Sequence, residues 1–563
     1  MRTKHLFAIA AVLSSFSLAA LPDRQRTIYY NGKIFTADAR TPWVEGLAVQ
    51  GDQIISTGEN REVLGVAETG ATLVDLHGQT VIPGLNDAHV HPYDITSFPR
   101  AAHLNAAADF IPNPGPNQQD VLALVRQGVA NNPKGTWLFV IVGTAIVEDP
   151  TVDRFILDTI APDHPVMLEA WYGHGTYLNT KAIQTIGLSE TEPDPFGGFY
   201  ARVPGSNRIN GVVHEYAEHL IKRFFANQMT DKELIDLYAS FAKGAAAAGY
   251  TSVQAMSIGL PQDRYVELLS RSNLPIRWRA ICVPLTLDES CQTSHAFQAT
   301  SSLTSNGIKW IADGTDIERF AFLTEDYKDA PGARGHLNFP AAAIQTELQR
   351  TLREQGQPLF HSVGDATSDT ILDEMAAVAS DGHWRGLRPR IEHGTLLRPE
   401  RYQSASNKGV YVVQNPLHFA LVDVAVARFK SDLLADIDPM KSLLKAGIHV
   451  ALGSDSVAVP GSPYLDLFFA VTQPTHLTEA LTTEEAVIAY TRTAAEAEFQ
   501  EQSKGTLVPG KLADFVVLSQ DIFKIDTSTQ ATAAALIGTT PLLTVVGGKR
   551  AFDKGQLPGL AKP

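Results

Sequence analysis

The chain has 563 residues, 44% of them hydrophobic and 19% charged, which is too apolar for a disordered protein. A net charge of −15 without any basic block disfavours binding to nucleic acid. Two cysteines are too few for a disulfide scaffold or a Cys-based zinc module, which leaves a large acidic globular protein, expected to be an enzyme, of two or three domains or one barrel with additions.

Residues 1–20 read as a secretory signal peptide. Met1–His5 is a short basic start, Leu6–Ala20 is apolar or small, and Ser17-Leu18-Ala19 suits cleavage near Ala19 or Ala20. The apolar run is shorter than the roughly 20 residues that span a bilayer. No later stretch predicts a stable membrane insertion. Export to the bacterial periplasm, or secretion, is therefore expected, and the absence of any Asn-x-Ser/Thr acceptor favours the periplasm. Export permits a Cys282–Cys291 disulfide, although neither position requires one.

From Ile28 to Val81, short alternating apolar runs are separated by Asn31-Gly32 and Gly51-Asp52, the signature of β-hairpins. Asp514–Leu518 and Leu543–Lys549 have the same texture. Neither end has enough strands for a core of its own. Residues 21–81 and 505–563 are therefore expected to form one composite β-sandwich domain, with 82–504 as an excursion from it.

That excursion alternates strands and helices. β-type runs occur at Thr80–Ile82, Thr251–Val253, Ile276–Val283, Ile308–Ala312, Pro358–Phe360, Pro389–Ile391, Val410–Val413 and Ile448–Leu452. Amphipathic stretches such as Thr230–Ala248, Pro340–Gln355 and Thr367–Ala379 separate most of them. Eight strands with intervening helices predict an α/β fold, a (β/α)8 TIM-like barrel. Residues 92–243 break the rhythm and contain strand candidates at Trp137–Val142 and Pro165–Leu168. They are expected to be an insertion after the first barrel strand that caps the active-site face.

His89-Val90-His91 follows the first apolar run. Alone, the pattern is weak, and two solvated loop histidines are the bland reading. In a strand, however, residues i and i+2 share a face, so both imidazoles would enter the barrel mouth together. His361, His393 and Asp455 also stand at the ends of apolar strands. Each has an ordinary explanation singly, such as a hydrogen-bonded histidine or a helix N-cap. In a barrel these ends converge, so four histidines and one aspartate form a candidate metal cluster. The donor set suits Zn, with Mn, Fe or Co as alternatives. Lys309 lies within the apolar strand Gly307–Ala312, where a lysine is costly unless paired. A salt bridge is one reading. A carbamate formed with carbon dioxide, bridging two metals, is the sharper one.

These residues resemble the amidohydrolase superfamily. Thr80–His91 is similar to its opening motif, Gly453-Ser454-Asp455 to its closing one, and Lys504–Leu518 to its return into a small β-domain. Gly173-His174-Gly175 with Asn179, Gly211–Glu215, Lys309 with Asp313-Gly314, His361–Ala366 and Arg390–His393 resemble the family-3 amidohydrolases, which include N-substituted formamide deformylase-like proteins. The resemblance covers nearly all the chain beyond the signal. It implies a binuclear site in which His89, His91 and Asp455 bind the buried metal, His361 and His393 bind the second, and carbamylated Lys309 bridges them. Asn86 departs from the usual acidic or apolar residue, and Thr315-Asp316-Ile317 from the usual small-residue run.

The expected chemistry is hydrolysis of an amide, N-acyl or N-formyl C–N bond by a metal-activated hydroxide, with Asp455 as general base and then acid. His418 or His174 would assist the oxyanion, and Asp365 would orient a ligand from behind. Glu215, Trp171, Tyr172 and Phe199 are candidate substrate contacts. Phe196–Tyr200 is a Gly-hinged aromatic segment suited to a lid, although core packing is the commoner use of such residues. Alternatives are a cyclic amide, lactone or deaminase-type hydrolase on the same metals, or a non-catalytic binding or regulatory protein on this fold. The partner is expected to be a small-molecule substrate, and nothing in the sequence excludes a homodimer.

Overall fold

Eight strands run parallel around one sheet in the computed structural model, which describes residues 26–105, 114–292, 298–300 and 302–557. They are β1 (Leu85–Val90), β2 (Tyr250–Met256), β3 (Arg277–Cys282), β4 (Leu303–Ile311), β5 (Pro358–Ser362), β6 (Arg390–His393), β7 (Tyr411–Gln414) and β8 (His449–Leu452). Each pairs with the next in chain order. β8 returns to β1 through its C-terminal extension: Asp455 N–H donates to the His89 carbonyl at 2.8 Å, and His91 N–H donates to Ser456 at 2.9 Å. This approach requires glycine at 453, where a Cβ would stand 2.6 Å from the His89 nitrogen. The signal-peptide reading falls on residues 1–20, outside the described residues.

Strands β2, β3 and β5 are buried along their whole length, as expected when helices cover one face and packed side chains fill the other. The expected helices are present at Asp231–Ala248, Ala341–Glu354 and Asp365–Val378. Thr230 and Glu233 close a capping box at the start of the first, and Gly249, at φ 101°, ends it.

One expected strand belongs elsewhere. Thr80–Pro83 is not the first barrel strand but lies in a six-stranded sheet, between Lys33–Phe35 and Phe515–Leu518. The barrel begins after Gly84, with the strand that itself carries His89. The two runs are nearly contiguous, but the first pairs with the C-terminal strands and the second with β2. Beside that six-stranded sheet stands a four-stranded one from residues 26–75. Their facing side chains, among them Ile34, Leu47, Val74, Phe515 and Val545, share one buried cluster.

Between β1 and β2 the chain builds a further six-stranded sheet, with strands from Ala101–His103 to Ile209–Glu215. Trp137–Val142 and Val166–Ala170 pair in parallel at its centre. Asn179 secures the next helix: its Oδ1 accepts from Ala182 and Val166, while its Nδ2 donates to the Ala161 and His164 carbonyls. No helix among the described residues is long and apolar enough to cross a membrane.

Candidate functional site

The C-terminal ends of the barrel strands gather the predicted residues in one cavity of about 1250 Å³, lined by His89, His91, Lys309, His361, His393, His418 and Asp455. His89 comes from β1, Lys309 from β4, His361 from β5 and His393 from the end of β6, while His91, His418 and Asp455 follow strands β1, β7 and β8.

Asp455 is the centre of the arrangement. Its Oδ1 lies 3.1 Å from His91 Nε2 and 3.3 Å from His89 Nε2, and its Oδ2 lies 3.2 Å from His418 Nε2. His89 Nε2 and His91 Nε2 are 3.3 Å apart. Burial opposes ionisation of Asp455, but the surrounding histidines hold its carboxyl well below the usual range. Asp455 and His393 both have left-handed backbones, at φ 51° and 67°. Non-glycine residues carry roughly 1–3 kcal/mol of strain there, which the β1–β8 hydrogen bond to Asp455 N–H helps to offset.

The far sides of the rings explain which nitrogen faces the cavity. His89 Nδ1 meets Glu392 at 2.5 Å, His361 Nδ1 meets Asp313 at 3.0 Å, and His393 Nδ1 meets Asn415 Oδ1 at 2.9 Å. Asn415 Nδ2 donates to the Gly453 carbonyl at 2.9 Å, which fixes its amide orientation. Each acceptor takes an Nδ1 proton and leaves an Nε2 lone pair directed inward, the tautomer a metal ligand needs. Burial pushes His89 down to about 4, so it is neutral. In each of two sets, His89–His91–Asp455 and His393–His418–Asp455, the donor atoms lie within 4.8 Å of one another. This donor set, with bare nitrogens turned toward a shared carboxylate, fits divalent metal ions.

Lys309 is 2% exposed, and no carboxylate among the described residues is within ion-pairing distance of it. Burial pushes its ammonium down to about 8. The salt-bridge reading of this lysine is therefore replaced by a buried amine facing the cavity.

The insertion supplies the outer wall. Trp171, Tyr172 and His174 line the cavity, and the His174 ring centroid lies 5.3 Å from that of His361. Glu215, expected among the substrate contacts, does not line the cavity. It sits behind His174, with Oε1 3.0 Å from Nδ1, and its other oxygen accepts from Asn338. Burial alone would lower His174, but Glu215, Glu318 and Glu218 raise it to about 9. Phe199 also misses the cavity: it stacks on His214 at 4.7 Å and edges against Phe320. Phe196 stacks on Phe339, so this aromatic segment is packed core and not a lid. Asp365 does not orient a ligand. It accepts from the Thr324 amide and hydroxyl, and the carboxylate on His361 is Asp313.

Further groups were not singled out from sequence. Arg390 donates to both Glu392 oxygens, at 2.6 and 2.8 Å, and Gln254 links Arg390 to Arg279. Asp87 anchors the last-strand loop through the Ser454 amide and hydroxyl. Beneath the insertion, Lys222 pairs with Glu218 at 2.9 Å, near Asp94 and Glu169. The sequence signal for Glu392 was available: Arg390 and Glu392 are two apart in an apolar strand and share a face.

A parallel barrel with histidines and an aspartate converging at its C-terminal mouth defines a metal-dependent hydrolase. The model of the amidohydrolase family matches residues 72–552, and the chain belongs to that family. It is a hydrolase of carbon–nitrogen bonds. The chain is 28% identical to Protein LONG AFTER FAR-RED 3 of Arabidopsis thaliana, over 93% of this chain and 91% of the relative. It is 26% identical to N-substituted formamide deformylase of Arthrobacter pascens, over 87% and 93%. An uncharacterized metal-dependent hydrolase from Pyrococcus horikoshii OT3 shares the fold, with a TM-score of 0.69 at 20% identity, over 89% of this chain and 99% of that one.

Proposed function

We propose that the protein hydrolyses an amide, N-acyl or N-formyl bond at a two-metal centre, with Asp455 moving the proton. The observation that carries this is Asp455 itself, held among His89, His91 and His418 at 3.1–3.3 Å and ionised by them. His89, His91 and Asp455 would hold one ion and His361 and His393 a second, with a carbamate on Lys309 between them. Zn is the favoured ion, and Mn, Fe or Co are alternatives. Bound divalent metal supplies acidification of water and polarisation of a carbonyl.

The chain's own residues supply the rest. Asp455 accepts a proton from the attacking water as the C–O bond forms. It then delivers that proton to the nitrogen as the C–N bond breaks. His418, 39% exposed and hydrogen-bonded to Asp455, stands where it reaches substrate oxygen or the leaving amine. His174 enters from the insertion on the other side, positively charged near neutral pH, and suits a developing oxyanion. The name of the Arthrobacter pascens relative supports an N-acyl substrate.

Export to the bacterial periplasm belongs to the same proposal. The Cys282–Cys291 disulfide supports it, because such bonds persist in oxidising compartments. The test is metal content with activity. About two metals per chain, loss of N-acyl hydrolysis on chelation, and recovery with Zn or Mn are expected. Fewer than one metal per chain, with activity indifferent to chelators, would overturn the reading.

A further inference from the structure

The cavity has a second charged region, beneath the insertion and outside the metal centre. Lys222 Nζ lies 2.9 Å from Glu218, 3.6 Å from Asp94 and 3.8 Å from Glu169. All four side chains are buried, and those of Asp94, Glu169 and Lys222 line the cavity. The region adjoins the metal centre. Asp94 stands three residues after His91. A Cβ on Gly173 would stand 3.4 Å from Lys222 Nζ, and the next residue is His174, whose ring meets that of His361.

Three carboxyl groups share one ammonium there. His174, the other cation at this end, has Glu215 as its own partner and leaves the imbalance standing. Buried charge without a counterion is costly. In the protein alone protonation relieves that cost, since burial and Asp94 hold Glu169 well above the usual carboxylate range. A second observation is independent of the acids. His219 lines the cavity and is 2% exposed, yet its Nδ1 has no hydrogen-bond partner among the described residues. Glu169 Oε2 also lacks one. Burial and Lys222 keep the His219 ring neutral, so it can accept an N–H. Trp171 and Tyr172, just beyond Glu169 in the chain, line the same cavity, and aromatic faces attract cations. A carboxylate ligand would reach Lys222 only against three acids, whereas an ammonium adds the countercharge that is lacking.

We infer that this end of the cavity binds a positively charged nitrogen of the substrate, so that the compound hydrolysed is a cationic amide, an N-acyl diamine or the amide of an ω-amino acid. The inference rests on the proposed amide hydrolysis. The amide sits at Asp455, Glu169 and His219 accept from the ammonium group, and Asp94 and Glu218 add negative charge around it.

The test compares substrates of equal length and different charge on the metal-loaded enzyme. N-acetyl diamines with two to six methylenes are set against the matching N-alkylacetamides, which places the charge in the amine half. The ω-aminoacyl p-nitroanilides are set against the matching alkanoyl ones, which places it in the acyl half. In one series kcat/KM is expected to be at least about tenfold higher for the cation. No preference for the cation at any length in either series overturns the inference, as does faster hydrolysis of the anionic N-acetyl ω-amino acids. Glu169→Gln and His219→Phe should each lower the cation-to-neutral ratio of kcat/KM about tenfold. Asp94→Asn is the alternative should Glu169→Gln prevent folding. A ratio unchanged in all the folded variants overturns the assignment. Calorimetric titration with the same pairs separates this inference from the reading beneath it. Cation-selective binding that Glu169→Gln weakens, without hydrolysis of any amide, supports the subsite while counting against amide hydrolysis. Equal binding within every pair overturns the subsite whatever the activity.

Discussion

His89 Nδ1 lies 2.5 Å from Glu392 Oε2, with both residues buried and Arg390 clamping the same carboxylate. This contact determines which His89 nitrogen reaches the cavity and couples a metal-site ring to a buried charge pair. Glu392→Gln should weaken metal binding by roughly 10–100-fold, measured by titrating Zn into metal-depleted protein. It should also lower the melting temperature, because Arg390 loses its countercharge in a buried setting. Unchanged metal affinity would show that Glu392 serves the barrel core alone.

Asp455→Asn keeps the side chain's size but removes its capacity to take a proton. kcat should fall by roughly 10²–10⁴-fold while circular dichroism and melting stay close to those of the parent. Near-normal turnover would remove Asp455 from the mechanism.

His174 gives a pH prediction. Its folded value is raised from 6.5 to about 9, burial being outweighed by Glu215 and neighbouring carboxylates. A raised value means that the ion pair contributes stability fully below pH 6.5 and loses it as pH rises through about 9. If the imidazolium steadies the oxyanion, kcat should decline over the same upper range. Glu215→Gln should move that limb to lower pH. A pH–rate profile unchanged in this variant would separate His174 from the chemistry.

The Cys282–Cys291 bond closes a short loop just past β3. Removing it should cost roughly 2–3 kcal/mol on a chain-entropy estimate, read as a lower melting temperature for Cys291→Ser and, in the parent, on adding reductant. A reductant-insensitive parent would show that the thiols are not joined in solution.

Most of the metal-site geometry was legible because period-two alternation and strand-end position are local properties. His89 and His91 declared themselves by spacing, and Asp455 by its place after Gly453-Ser454. The first barrel strand was hidden. Leu85–Val90 contains Asn86, Asp87 and His89, and looks too polar for a core strand, whereas Thr80–Pro83 looks ideal. Its polar groups are satisfied by partners from far along the chain: Asn86 by Glu498, Asp87 by Ser454 and His89 by Glu392. Asp313 and Asp365 were exchanged for the same reason. Asp365 stands four residues from His361 and Asp313 stands 48 away, and only the fold shows that Asp313 turns toward His361 while Asp365 turns to Thr324. Glu215 and Phe199 lie off the cavity wall, which the sequence did not reveal because a side chain's depth behind a wall has no local signature.

The antiparallel pairing of Pro83 with Phe515 has a consequence for biogenesis. The strand just before the barrel has one neighbour, Lys33–Phe35, in the N-terminal part and finds the other only in the last part of the chain, across the entire barrel. Such non-local pairing is slow, since loop closure must precede any gain from contact. During synthesis from the N-terminus, the six-stranded sheet cannot close until the final segment has emerged. Until then Thr80–Pro83 presents an open apolar edge beside a partly assembled barrel, the kind of surface that chaperones shield. A ribosome stalled short of residue 515 should therefore hold a chain that remains protease-sensitive at this junction even where the barrel has begun to form.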